Sequence, residues 1–241
     1  MLTFEFFCEV LVSWWIGVNA TVKKPKDSVK RTGMESPRIY YYILSYDGGI
    51  APCIDGGLLT LAICKPGIRR KASRGDWLIG FSPKEMGWTL SFIAKVSDKI
   101  RGDEYYGSGS YDGRSDCIYK LDSSGEFSLR SSRIHNHPKN RARDVGGKEN
   151  NYRNAWILKS DRFWYFGGHA LKVVGSQTPN LVEKLESLSQ GYRVNHSVLA
   201  RAELETLIEN VREKFKRGVH GSPRDSSDLV DDDSDDYGSC H

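Results

Sequence analysis

Apolar positions along this chain fall into short runs bounded by turn residues, and only the last third shows helical spacing. The strongest pattern is residues 58 to 82, LLTLAICKPGIRRKASRGDWLIGFS. An apolar run from Leu58 to Cys64 meets the turn Lys65-Pro66-Gly67, and a second run, Trp77 to Phe81, follows Gly75-Asp76. Runs of this length predict buried strands, here with a charged crossing between them. Residues 38 to 46, RIYYYILSY, are β-branched and aromatic on both faces, which predicts a strand central in a sheet or part of a barrel. Residues 88 to 97 predict another, with Phe92, Ala94 and Val96 on one face by the two-residue period. Residues 101 to 150 are rich in Gly, Ser, Asp, Arg and Asn and read largely as loop. A strand at 155 to 158 and a short helical or turn segment at 161 to 167 follow.

Helical spacing then takes over. Thr178-Pro179 predicts a helix start with proline at its first position, Leu181, Leu185 and Leu188 form a stripe, and Gly191 follows the last turn. A second helix is predicted from about Ser197 to Arg217, with Leu204, Leu207, Ile208, Val211 and Phe215 inward and Gly218 just past its end. Three segments result: an N-terminal extension and linker over 1–37, a domain over 38–218, and an acidic disordered tail over 219–241. Residues 1 to 20 can form an amphipathic or buried helix, and the domain itself is expected to begin near Met34.

Charge sharpens this division. The chain carries a formal +4, yet residues 219 to 241 hold seven Asp against one Arg, a net of −6, so the rest carries +10. A basic body with an acidic end points to an anionic partner, nucleic acid first. The five cysteines are irregularly spaced without C-x-x-C. That excludes a disulfide framework and predicts reduced thiols in an intracellular setting, cytoplasmic or nuclear. No apolar run reaches the ~18 residues of a spanning helix, so no membrane partner is expected.

Candidate chemistry follows from residue type. Lys65, Arg69, Arg70, Lys71 and Arg74 can contact phosphate, bidentately for Arg and as a point charge for Lys; the plain alternative is a solvated loop. The loop Asp47 to Gly57 holds two Asp-Gly-Gly turns, but it lacks the spacing of a phosphate-binding motif, so no cofactor is expected. Asp47 reads as an acceptor for a base edge or as a turn residue. Asp76 most simply caps its own turn. Trp77 belongs to the core or to the wall of a base pocket. In Phe163-Trp164-Tyr165-Phe166 the outer two read as core, while Trp164 and Tyr165 are the better candidates for exposure and stacking. His135-Asn136-His137-Pro138 lacks metal-site spacing, so no metal ligands are assigned, and His137 joins Asp47 and Asp76 as an acid–base candidate. No nucleophile triad is legible.

YYYILSYDGGIAPCIDGGLLTLAICKPGIRRKASRGDWLIG, SDCIYK and FWYFGG together resemble the nucleotide-modification-associated domain family, the second of its numbered series. The resemblance covers residues 38 to 175 and is carried most by CKP-x-IR and GDW. It implies a link to DNA base modification. It also implies that Asp47, Lys65, Arg69, Asp76, His137, Trp164 and Phe166 border a shared pocket region. The strand–basic crossing–GDW–strand order is also similar to PUA and EVE domains, a likeness of fold alone.

The expected fold is α+β: a curved mixed sheet or a PUA-like, partly closed barrel, with the C-terminal helices packed on it. The expected function is recognition of nucleic acid, DNA with modified bases in particular. The acidic tail would compete for the basic face. An enzyme acting on a nucleotide or DNA base, and a protein-interaction module with a basic surface, are the two alternatives.

Overall fold

The computed structural model describes residues 36–130, 135, 137–188 and 191–226. Most of the expected extension, and residues 227–241 of the expected acidic tail, lie outside the described residues. The fold is α+β, as the patterning indicates. Its centre is a five-stranded mixed sheet in the order β1 (Ile39–Ile43), β4 (Trp77–Phe81), β5 (Leu90–Lys95), β10 (Arg162–Tyr165) and β11 (Gly218–Val219). β1 runs parallel to β4, and β11 parallel to β10, while the pairs between are antiparallel. A four-stranded sheet follows the order β2 (Cys53–Asp55), β3 (Leu58–Leu61), β9 (Trp156–Ser160) and β6 (Asp98–Arg101). A small hairpin pairs β7 (Tyr119–Leu121) with β8 (Phe127–Leu129).

Both faces of the five-stranded sheet are covered, which is why its strands read as continuous apolar runs. On one face Ile39, Tyr41, Trp77, Ile79, Ile93 and Trp164 meet helix α4 (Pro179–Glu186) and helix α5 (Val198–Lys214) through Leu181, Leu185, Leu204, Leu207, Ile208 and Val211. The leucine stripes of the sequence are those contacts. Ser197 caps α5 by accepting the Ala200 N–H at 3.2 Å. On the other face Tyr40, Tyr42, Leu78, Phe92, Ala94 and Val96 meet Leu59 and Leu61 of β3 and the first helix, α1 (Pro66–Lys71).

Several expectations change. The charged crossing is helix α1, with Pro66 in its first turn, rather than a loop. β1 is an edge strand, buried on both faces by its covering layers. The segment 161 to 167 contributes strand β10. Residues 101 to 150 form a third core rather than a loop: α2 (Gly102–Gly107), the hairpin and α3 (Pro138–Asp144) enclose Tyr105, Tyr106, Tyr119, Phe127, Val145 and Tyr152. Gly218 begins β11 rather than terminating α5, and residues 219–226 of the expected tail are ordered. Asp225 donates its N–H to the Asp47 carbonyl (3.0 Å) and accepts the Asp47 N–H on its carboxylate (2.7 Å).

Candidate functional site

The turn from β3 into α1 is made by Cys64 (φ 58°) and Lys65 (φ 39°), two non-glycine residues in the left-handed region. Such a conformation persists only where surrounding contacts fix it. Here the fixing residue is Arg69, fully buried one turn into α1. Its Nε donates to the Cys64 carbonyl (2.6 Å), Nη1 to the Asn154 and Trp156 carbonyls (2.6 and 2.9 Å), and Nη2 to the Asp144 carbonyl (2.8 Å). Arg69 therefore ties β3, β9 and α3 together, and its fork is not presented to a phosphate. Burial lowers its pKa, and the nearby Asp144 carboxylate opposes that shift.

The other cations of the run do face outward. Arg70, Lys71 and Arg74 are exposed. Arg70 Nη1 touches Asn154 Oδ1 at 3.1 Å, and Lys71 Nζ sits 5.8 Å from the Tyr192 ring centroid. Lys99 closes the end of α1 by donating to the Arg70 and Ala72 carbonyls (2.7 and 3.0 Å). Lys65 is half-buried, with Nζ 4.9 Å from the centre of the Tyr42 ring. Burial, with Arg143 adding repulsion, pulls its pKa down to about 8.

The three acid–base candidates are not assembled. Asp76 sits where β4 begins, and Asp47 lies past the end of β1, so the parallel pair Ile39↔Trp77 to Ile43↔Phe81 separates them along its length. Asp76 accepts the Arg38 N–H, the Arg38 guanidinium and the Ser73 N–H, each at 2.9 Å, which is the turn-capping role. His137 is exposed and caps α3, accepting the Lys139 N–H at 3.2 Å. Nor are the proposed stacking aromatics available. Trp77 and Trp164 are buried beneath α5 with ring centroids 6.5 Å apart, and Trp164 Nε1 donates to the Phe215 carbonyl (3.0 Å). Tyr165 is fully buried and donates its hydroxyl to Asp47 Oδ1 at 2.6 Å. The expected exposure of Trp164 and Tyr165 fails because β10 is covered on both faces.

Asp47 itself is buried beyond the end of β1, and its second oxygen, Oδ2, has no hydrogen-bond partner. The buried Tyr42 hydroxyl, whose pKa Asp47 helps to raise, has none either. Burial raises the Asp47 pKa, against the opposing Tyr165 hydrogen bond and Arg224. Unpartnered buried polar atoms are uncommon, and these two, near enough for the Asp47 charge to act on the Tyr42 hydroxyl, make a donor and acceptor for a polar ligand.

A second constellation was not visible in the sequence. Cys64 Sγ lies 3.7 Å from His135 Nε2, and His135 Nδ1 lies 2.6 Å from Asp144 Oδ2. Asp144 is fully buried; its Oδ1 accepts the Cys64 N–H (2.8 Å) and its Oδ2 the Tyr119 hydroxyl (2.9 Å). These three are also a set of metal-capable donors, within 4.8 Å of one another, although the sequence assigned no ligands. Cys64 is disulfide-bonded, which departs from the expectation of reduced thiols throughout; among the described residues Cys53 and Cys117 are free. The sequence signal for the group is thin. His135 stood beside the singled-out His137, and Asp144 had none, since it lies 80 residues from the group it holds.

Among the described residues no helix is long and apolar enough to cross a membrane. No curated protein and no solved structure matches the chain. A family model described as nucleotide modification associated domain 2 matches residues 36–229.

Proposed function

Since the chain belongs to the nucleotide modification associated domain 2 family, which links it to a nucleotide or DNA modification system, we propose that it engages nucleic acid directly, and DNA carrying modified bases in particular. Arg70 and Lys71 on the outer side of α1, with Arg74 just past its end, hold backbone phosphate. The base is read by hydrogen bonds rather than by stacking, through Tyr42 Oη and Asp47 Oδ2 with Lys65 alongside. The observation that carries this reading is the unpartnered, buried pair Tyr42 and Asp47, next to a turn whose following helix and exit display three exposed cations. An intracellular setting belongs to the same reading.

The test is a binding titration of the full chain against unmodified, 5-methylated, hydroxymethylated and glucosylated DNA at two salt concentrations. Replacing Arg70, Lys71 and Arg74 by Ala should weaken binding to all four and flatten the salt slope by about 2–3, at ~0.9 for each phosphate no longer neutralised. Asp47→Asn should instead change the ranking of the four DNAs and leave that slope alone. Unchanged affinity in the triple variant would sink the proposal and favour an acidic protein partner for the same face.

A further inference from the structure

We propose that residues 220–226 form a displaceable strap over the Asp47 site, held in the place that the edge of a nucleobase takes when it binds. The strap leaves β11 and runs back past the end of β10 to the loop after β1. His220 donates its N–H to the Tyr165 carbonyl (2.7 Å), and Ser222 accepts the Gly168 N–H on its carbonyl (2.9 Å). The far end closes on Asp47. The Asp225 carboxylate accepts the Asp47 N–H at 2.7 Å, and the Asp225 N–H donates to the Asp47 carbonyl at 3.0 Å. The Tyr46 hydroxyl reaches the Asp225 carbonyl at 3.3 Å. Arg224 donates to the Ser45 carbonyl (2.8 Å) and lies near enough to Asp47 to favour its ionised form. The seat is fitted to the strap. Gly49 and Gly167 sit at φ 76° and 53°, and a side chain on them would run into Pro223 and the Ser222 carbonyl.

Three observations make this segment a cover rather than part of the core. None of residues 220–226 is buried, and none contributes to the hydrophobic clusters among the described residues. A segment held by a few hydrogen bonds, with little apolar surface beneath it, opens locally at well below the free energy of global unfolding. The closed strap also leaves Asp47 Oδ2 and the Tyr42 hydroxyl without partners. A ligand that satisfies both atoms therefore competes well against it. Finally, the strap answers Asp47 with an acceptor, the Asp225 carboxylate, and a cation, Arg224. Whatever replaces it has to bring an acceptor for the Asp47 N–H and a donor for the Asp47 carboxylate. A fully ionised phosphate has no donor to bring and is repelled by that carboxylate. The hydrogen-bonding edge of a base has both. That the displacing ligand is a base rests on the function proposed above; the opening of the strap does not. The observed DNA affinity is then lowered in proportion to the open fraction.

Hydrogen–deuterium exchange of the full chain is the first test. Without DNA, the amides of 220–226 and 47–49 should exchange together, about 100-fold or more faster than those of β5, at a rate that low urea leaves unchanged. Saturating DNA should speed exchange in 220–226 further and slow it at Asp47. Asp225→Ala frees the Asp47 N–H. It should raise exchange there and tighten binding to the best-bound of the four DNAs by about tenfold each, with the salt slope unchanged. Asp225→Asn keeps an oxygen for that N–H and should stay within about twofold of wild type. Strap amides that exchange only in step with β5, through global unfolding, overturn the proposal. So does strap protection that rises with DNA, or a folded Asp225→Ala that binds DNA no tighter than wild type. Circular dichroism checks folding, and where the variant fails it, wild-type exchange with and without DNA carries the test. If neither protein binds DNA, the function proposed above fails, and the exchange pattern alone decides the strap.

Discussion

Replacing Arg69 by Met tests whether the buried arginine of α1 is a structural pin or a ligand contact. The change keeps the aliphatic length and removes the fork. Four buried carbonyls, those of Cys64, Asp144, Asn154 and Trp156, lose their donors together. An unsatisfied buried polar group costs about 1–3 kcal/mol, but these four share one side chain and cannot be summed. The Asp144 carboxylate, close enough to favour the charged form of Arg69, also loses that attraction. The expected loss is therefore about 4 kcal/mol, a large part of the ~5–15 kcal/mol that holds an ordinary domain. For a folded region of this size it lowers Tm by about 8–16 °C. Thermal and urea unfolding followed by circular dichroism measure it. Arg69→Lys should recover little, since an ammonium cannot span the four acceptors. A loss under about 1 kcal/mol, with DNA affinity falling instead, would refute the reasoning and return Arg69 to the phosphate-binding set.

Three further outcomes are expected. Burial holds the Asp47 pKa above its unfolded value. Between an unfolded value of ~3.9 and the raised folded one, the native state binds more protons, so this group's contribution falls as pH rises. Asp47→Asn should thus gain on wild type from pH 4 to pH 7 in urea midpoints, and a constant or reversed gap would contradict the shift. Deleting residues 227–241, with six Asp and no Lys or Arg, should tighten DNA binding at low salt, unchanged affinity removing the idea of competition. Deleting 219–241 should also lower Tm, because it removes Val219 of β11 and the Asp225 contacts to Asp47.

The legible part of the fold was the part with a period or an unbroken run. Leu58 to Leu61, Trp77 to Phe81 and the leucines of α4 and α5 lie where patterning puts them, because each element buries a whole face. The third core was hidden because Tyr105, Tyr106, Tyr119, Phe127 and Tyr152 arrive singly or in pairs among polar residues, with no face to read. In the basic run the residue types are alike and only the helix separates them. Arg69 shares the inward side of α1 with Ile68 and Ala72, while Arg70 and Lys71 turn away. Had the crossing been read as a helix, the four-residue spacing of Ile68 and Ala72 would have marked Arg69 as a neighbour of the core. Cys64, His135 and Asp144 meet only through the tertiary fold, which no local spacing reports.

The placement of β1 at the margin of its sheet bears on how copies of this chain behave toward one another. A bare marginal strand offers a row of backbone groups on which a neighbouring molecule can extend the sheet, the usual beginning of aggregation. Here the Tyr41 N–H donates to the Arg193 carbonyl (3.0 Å), and the Arg193 N–H returns the bond to Tyr41 (2.8 Å). His196 adds a bond to the Ile39 carbonyl at 2.7 Å. The link from α4 to α5 thus occupies the middle of a margin that five consecutive apolar residues would otherwise leave sticky. This connection is a guard on solubility as well as a joint between helices.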